Sequence, residues 1–141
     1  MKAVLDASSG VQAVLPEADT PKAIRLLDEF GQGRHDLIAP DIYPLETLNV
    51  LSKAERQNRI PPGSGYALWQ TLIADVPTLH PHVPLFPRAY AISTTYKVAI
   101  YDCLYVALAE QEKAELITSD VRLATNLQKA FPFIRLLSTF P

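Results

Sequence analysis

At 141 residues and 15.6 kDa the chain is sized for one compact domain, 1–141, because two halves of this length would each struggle to build a hydrophobic core. Hydrophobic residues make up 48% and charged residues 20%, which excludes the polar, highly charged composition of disordered chains. A net charge of -2 and a pI of about 5.9 argue against a general, charge-driven nucleic-acid binder, but leave room for an enzyme that meets a phosphodiester through metal ions and a few arginines. The single cysteine, Cys103, excludes an intrachain disulfide and a Cys-based zinc site, so a reducing, cytoplasmic setting is expected. The longest strictly apolar run, Cys103 to Ala109, is seven residues. A membrane span needs about 20, so no membrane association is expected.

In chain order, Ala3-Val4-Leu5 reads as a short strand stopped by Asp6, and Ser8-Ser9-Gly10 offers hydroxyl caps for a short helix. Thr20 as N-cap and Pro21 at the first helical position open an amphipathic helix, with Ile24, Leu26, Leu27 and Phe30 at helical spacing before Gly31 and Gly33. Asp36 to Pro40 predicts a second strand. Asp41 then caps a helix with Leu45, Leu48, Leu51 and Ala54 on one face, Pro44 tolerated in its first turn and the polar run 53–59 at its end.

Tyr66 to Ala74 predicts a further helix. Four prolines between Pro77 and Pro87 predict an irregular edge strand and turn over Val76 to Val83. Residues 88–96 and 101–111 read as helices, 115–118 as a buried strand, 122–129 as a helix and 133–137 as a last strand. Strands alternating with helices predict an α/β three-layer sandwich, a central, mainly parallel sheet flanked by helices.

In open parallel sheets the ligand site lies beyond the carboxyl ends of the strands, where helices also begin. Asp6 closes the first strand, Asp120 follows the strand 115–118, and Asp102 and Glu46 fall in the opening turns of their helices, so all four are expected to converge. Four carboxylates without a cation repel one another, and an all-oxygen set suits Mg²⁺ or Mn²⁺ rather than zinc. Any one of these acids alone reads more simply as a cap or a solvated group. His80, His82 and His35 read as loop residues, and Cys103 as a small core residue. The cations Arg56 and Arg59, beside Lys53, and Arg122, two residues past Asp120, are candidate phosphate contacts.

Four segments in register, Val4-Leu5-Asp6-Ala7-Ser8, Ala39-Pro40-Asp41 with Glu46-Thr47-Leu48-Asn49, Tyr101-Asp102-Cys103-Leu104, and Ile117-Thr118-Ser119-Asp120, resemble the PIN-domain ribonucleases. Within them the closest likeness is to the VapC toxins of toxin–antitoxin systems. The resemblance implies Asp6, Glu46, Asp102 and Asp120 as the metal-binding and catalytic acids. It implies Ser8 and Thr118 as hydroxyls steadying them, and Asn49 as a supporting polar residue on the same helix face as Glu46. It further implies Mg²⁺- or Mn²⁺-dependent hydrolysis of RNA, a VapB-like antitoxin and a toxin homodimer. A groove between Leu45–Leu51 and Tyr66–Ile73 is expected to receive the antitoxin. Two other classes share parts of this pattern. A non-catalytic PIN-fold binding module would be expected to have lost at least one acid, and a phosphoaspartyl enzyme would carry an acid where Ser8 stands.

Overall fold

Five short strands pair wholly in parallel in the order β3-β2-β1-β4-β5, in a computed structural model that describes residues 1–141. They are β1 (Lys2–Leu5), β2 (Asp36–Pro40), β3 (Thr78–His80), β4 (Glu115–Thr118) and β5 (Ile134–Leu136). The helices are α1 (Ala7–Gly10), α2 (Thr20–Gly31), α3 (Tyr43–Arg56), α4 (Gly65–Ile73), α5 (Phe86–Tyr96), α6 (Ile100–Glu112) and α7 (Val121–Leu127). Single 3₁₀ turns follow α1, precede α5 and follow β5. The three central strands are buried almost end to end, as expected of a sheet covered on both faces, and Val4 pairs with Ile38 on one side and Leu116 on the other. Right-handed crossovers place α1 to α4, which step from β1 towards β3, on one face, and α5 to α7, which step back towards β5, on the other.

The apolar run of the sequence becomes the centre of the second helical layer. Every residue of α6 from Cys103 to Ala109 is buried, because the helix lies across β1, β2 and β4 and is itself covered by α5. A helix apolar on all sides has no other soluble home. A smaller cluster, Val11, Leu15, Leu51, Ala54, Ile60 and Leu72, joins α3 and α4 to the turn after α1.

Several expectations are corrected at the level of caps and faces. Asp41 does not cap α3, whose N-cap is Ile42. Its carboxylate accepts the His82 backbone N–H at 3.1 Å and pairs with the His82 ring, tying the end of β2 to the turn after β3. Likewise Thr20 lies inside α2, with Asp19 as N-cap, and its hydroxyl donates to the Leu15 carbonyl. The inner face of α3 is Tyr43, Thr47, Leu51 and Ala54, and Leu45 is 67% exposed. Thr47 is affordable there because its hydroxyl donates to the Tyr43 carbonyl at 2.9 Å, so burial leaves no unmet polar group. In α2 the buried residues are Ala23 and Leu26, and Ile24 faces out. α3 and α4 pack directly on one another along their inner faces. Leu51 and Leu72 are buried in the cluster that joins them, and the Trp69 indole donates to the Pro44 carbonyl at 3.0 Å. His35 is half-buried against Glu29 at 2.5 Å rather than a free loop residue.

Gly10 passes so close to the buried Tyr43 ring that an added Cβ would overlap its hydroxyl and stand 2.9 Å from Cζ. Overpacking a closed core costs about 1–3 kcal/mol. Gly10→Ala is therefore expected to lower stability in urea unfolding by that amount, and Gly10→Ala with Tyr43→Phe to recover part of it. An unchanged midpoint for Gly10→Ala would refute the close packing.

Candidate active site

Sheet growth reverses between β1 and β4: the chain proceeds from β1 outward to β2 and β3, then returns to lay β4 on the other side of β1. At the carboxyl end of this switch point two carboxylates are placed by the strand ends themselves. Asp6 follows β1, with its backbone N–H donating to the Ile117 carbonyl at 3.0 Å. Asp120 stands two residues past β4. Crevices at such points are where open α/β sheets bind ligands.

Asp6 is held by two hydroxyls. Ser8 Oγ donates to Asp6 Oδ2 at 2.8 Å and Thr118 Oγ1 donates to the same oxygen at 2.7 Å. Each hydroxyl also accepts a backbone N–H, Ser8 from Ser119 and Thr118 from Asp120, both at 3.0 Å. Both hydroxyl protons are thereby committed to one carboxylate oxygen, so the serine and threonine clamp Asp6, which is the N-cap residue of α1 but makes no side-chain capping bond to that helix. Burial raises the Asp6 pKa, opposed by the Thr118 and Ser8 hydrogen bonds and reinforced by the Asp120 charge.

Glu46 and Asp102 both sit in the first turn of their helices, α3 and α6. Burial pushes Glu46 up to about 7, with Asp6 and Asp102 adding to the shift against a lowering by the Tyr105 hydroxyl. Burial, then the charges of Asp6 and Asp120, push Asp102 up to about 6. The four acids therefore feel one another's charge across a single site. Beneath them, Glu46 Oε1 and the hydroxyls of Tyr43 and Tyr105 are buried without a partner of ordinary hydrogen-bond geometry. Tyr105 is near enough to stabilise the Glu46 carboxylate but is not in bonding contact with it.

Each acid keeps a lone-pair surface free of the protein. Asp6 commits only Oδ2, and Asp120 commits Oδ1 to the backbone N–H groups of Arg122 and Leu123 at 2.9 and 3.2 Å, while Asp102 makes no side-chain hydrogen bond. Oxygen-only donors with unused lone pairs, one of them buried and orphaned, suit a hard divalent cation. As placed, no three of the chain's acidic, histidine or cysteine side chains close to ligating distance around one point.

Two depressions flank the acids. One of about 360 Å³ is lined by Leu45, Glu46, Asn49 and Tyr101, so Glu46 and Asn49 share a helix face. The other, of about 270 Å³, brings Asp102 and Asp120 together with Lys97, Arg122 and Asn126. Arg122 is thus at the site. Arg56 and Arg59 are not: Arg56 ends α3, about 15 Å from Glu46 at 1.5 Å per residue, and Arg59, in the turn beyond it, pairs with Glu17 at 3.8 Å. Sequence reasoning missed Lys97, Asn126 and the two buried tyrosines. Of these only Lys97, one short loop before α6, had a signal in its position. Burial, then the Asp102 charge, push the Cys103 thiol up to about 11, which keeps it protonated and inert at neutral pH.

The sequence profile of the PIN domain matches residues 3–126, which is most of the chain. The chain belongs to the PIN-domain family. Its relatives include Ribonuclease VapC12 of Mycobacterium tuberculosis, 32% identical over 123 residues that cover 87% of this chain and 90% of that protein. Ribonuclease VapC3 of Pyrobaculum aerophilum is 29% identical over 130 residues, 88% of this chain and 93% of its own length. The VapC identity is thereby shown alongside the PIN fold. Among solved structures, PAE2754 from Pyrobaculum aerophilum superposes with a TM-score of 0.70 at 18% identity, covering 99% of this chain and 94% of its own. VapBC2 from Rickettsia felis, bound to a promoter DNA fragment, superposes at 0.67 with 15% identity over 96% and 97% of the two chains. At these identities the superpositions speak for the fold. No helix of this VapC chain is long and apolar enough to cross a membrane.

Glu46 and Asp102 titrate at about 7 and about 6 in the folded chain and in the ordinary carboxylate range of about 4 when unfolded. Between about pH 4 and pH 7 the folded state then binds more protons than the unfolded one, so stability is greatest below this window and is lost as pH rises through it. The lowered pKa values of Glu110 and Glu112 act in the opposite sense, but on exposed, screened side chains. In metal-free buffer the melting temperature is expected to fall from pH 5 to pH 8. Glu46→Gln or Asp102→Asn should flatten the profile and melt no lower than the parent at pH 8. A melting temperature that rises over this range would contradict the shared site.

Proposed function

We propose that this VapC-family chain is a divalent-metal-dependent ribonuclease acting as the toxin of a toxin–antitoxin pair, with Asp6, Glu46, Asp102 and Asp120 holding Mg²⁺ or Mn²⁺. What supports the reading is that all four carboxylates stand at the carboxyl edge of the sheet, Asp6 and Asp120 just past β1 and β4 and Glu46 and Asp102 in the first turns of α3 and α6, each with an oxygen free of hydrogen bonds. The names of the relatives, VapC ribonucleases, and the titles of structural neighbours, among them a toxin-antitoxin complex from Klebsiella pneumoniae, support it. A lone cysteine that needs no oxidising compartment agrees with action in the cytoplasm.

A bound divalent cation supplies the Lewis acidity that polarises a phosphate and makes water a nucleophile near neutral pH. The chain's own residues provide the rest. The Ser8 and Thr118 hydroxyls hold Asp6 in one orientation, leaving Oδ1 to face the ion, and Asp120, fixed by two backbone N–H groups, offers its second oxygen. Glu46 and Asp102 are held above the ordinary carboxylate range in the metal-free chain, first by burial and then by the neighbouring acids, and a bound cation would favour their ionised forms. Asn49 lies beside Glu46 as a neutral hydrogen-bonding group for the strand. No histidine lines either depression, so general-base duty falls to the carboxylates and to water.

Purified chain incubated with total RNA is expected to cut it in Mg²⁺ or Mn²⁺ and to be silent in EDTA. Asp6→Asn or Asp120→Asn should reduce the rate by about 100-fold or more, since each removes charge from the site where transition-state charge is met. Cleavage by a rigorously pure sample in EDTA would overturn the metal-dependent reading.

The partners in this reading are RNA, a VapB-like antitoxin and a second copy of the chain. Expression alone should arrest growth, and expression beside its small neighbouring reading frame should relieve the arrest and yield a stable complex, with a dimeric mass for the toxin by light scattering. Equal toxicity in both settings without co-purification would refute the antitoxin, and a strictly monomeric mass at micromolar concentration the homodimer.

A further inference from the structure

The two depressions beside the acids differ in charge. That formed by Leu45, Glu46, Asn49 and Tyr101 contains no cation. The other sets Lys97, Arg122 and Asn126 against Asp102 and Asp120 in about 270 Å³. Neither Lys97 nor Arg122 takes part in any of the chain's six ion pairs, although two carboxylates share their cleft. Both are exposed and free to meet an incoming anion. Lys97 ends α5 in the left-handed conformation, φ 56° and ψ 48°, where glycine is the cheaper choice. That turn delivers its side chain to the cleft one short loop ahead of Asp102.

A polyanion approaching four acids is repelled unless cations stand at the same place. Here they stand on one side only. Single strands are where proteins read RNA through accessible bases and riboses. We infer that Lys97 and Arg122 form a phosphate-binding subsite for single-stranded RNA next to the acids, with the Asn126 amide meeting the ribose or base of the same nucleotide. The pair anchors the strand on one side of the acids, because the depression beside Glu46 offers no counter-charge. Lys97 and Arg122 are thus positioning residues for the reaction proposed above, and the inference rests on that reading.

The test uses the full chain and a mixed-sequence single-stranded RNA oligonucleotide, with binding followed by fluorescence anisotropy in EDTA and cleavage in Mg²⁺. Lys97→Gln and Arg122→Gln are each expected to weaken binding about 10-fold at low salt. Each should lower the slope of log affinity against log salt by about 0.7, one phosphate contact on a single strand. In Mg²⁺ they should raise KM and largely preserve kcat. Lys113→Gln, at the far end of α6, should leave affinity and slope unchanged. Lys97→Gly should melt no lower than the parent, since it relieves the left-handed residue, yet bind as weakly as Lys97→Gln, which separates binding from folding. If the parent cuts RNA while both glutamine variants keep its affinity, salt slope and KM, the subsite is wrong and the ribonuclease reading stands. If the parent neither binds nor cuts RNA, both fall.

Discussion

The clamp on Asp6 is the contact on which the site depends. Two hydroxyls, Ser8 just after β1 and Thr118 at the end of β4, send their protons to one carboxylate oxygen and take backbone N–H groups in return. This closes the crevice between the two strands at the place where the sheet changes direction. It also fixes Asp120, since the N–H that Thr118 accepts is that of Asp120 itself. A buried carboxylate without such partners would neutralise or force the strand ends apart. With them it stays where a cation can use it.

Around that clamp, the remaining acids are delivered by helices that have no freedom to withdraw. Asp102 stands at the start of α6, and the seven residues that follow it are buried without exception. Glu46 stands one turn into α3, above the buried Thr47 and Leu51. Repulsion that would open a surface cluster is here opposed by the packing of the domain interior. The raised pKa values of Glu46 and Asp102 come first from that burial and then from the charges of the neighbouring acids. Stability given up at the site is offset elsewhere, in a core that runs through all three layers.

Much of this was legible in the sequence, and the parts that were not share a cause. Strand positions and the carboxyl-edge rule placed the acids, because a buried parallel strand leaves a short apolar run with an abrupt polar stop, as at Leu5-Asp6 and Thr118-Ser119-Asp120. The phase of a helix was harder to read. Leu45 reads as part of the inner face with Leu48, Leu51 and Ala54, yet it is 67% exposed and that face is Tyr43, Thr47, Leu51 and Ala54, while Asp41, expected to cap α3, turns to His82 instead. Pairing of that kind joins residues about 40 positions apart and leaves no mark on local periodicity. The same holds for Tyr43 and Tyr105, buried residues whose hydroxyls end near the acids.

The low net charge is then compatible with RNA as a substrate, because what matters is where the cations stand rather than how many there are. Arg88, Arg135 and Arg59 are occupied by Glu110, Glu115 and Glu17, and Lys2 by Glu112, which removes them from any long-range attraction. Arg56 is unpaired but faces away at the opposite end of α3. At the acids, the cations left free are Lys97 and Arg122, confined to one side. A uniformly basic surface would hold RNA anywhere and in either direction. In the proposed reading, Lys97 and Arg122 would give a nearly neutral surface a local phosphate site beside the four acids.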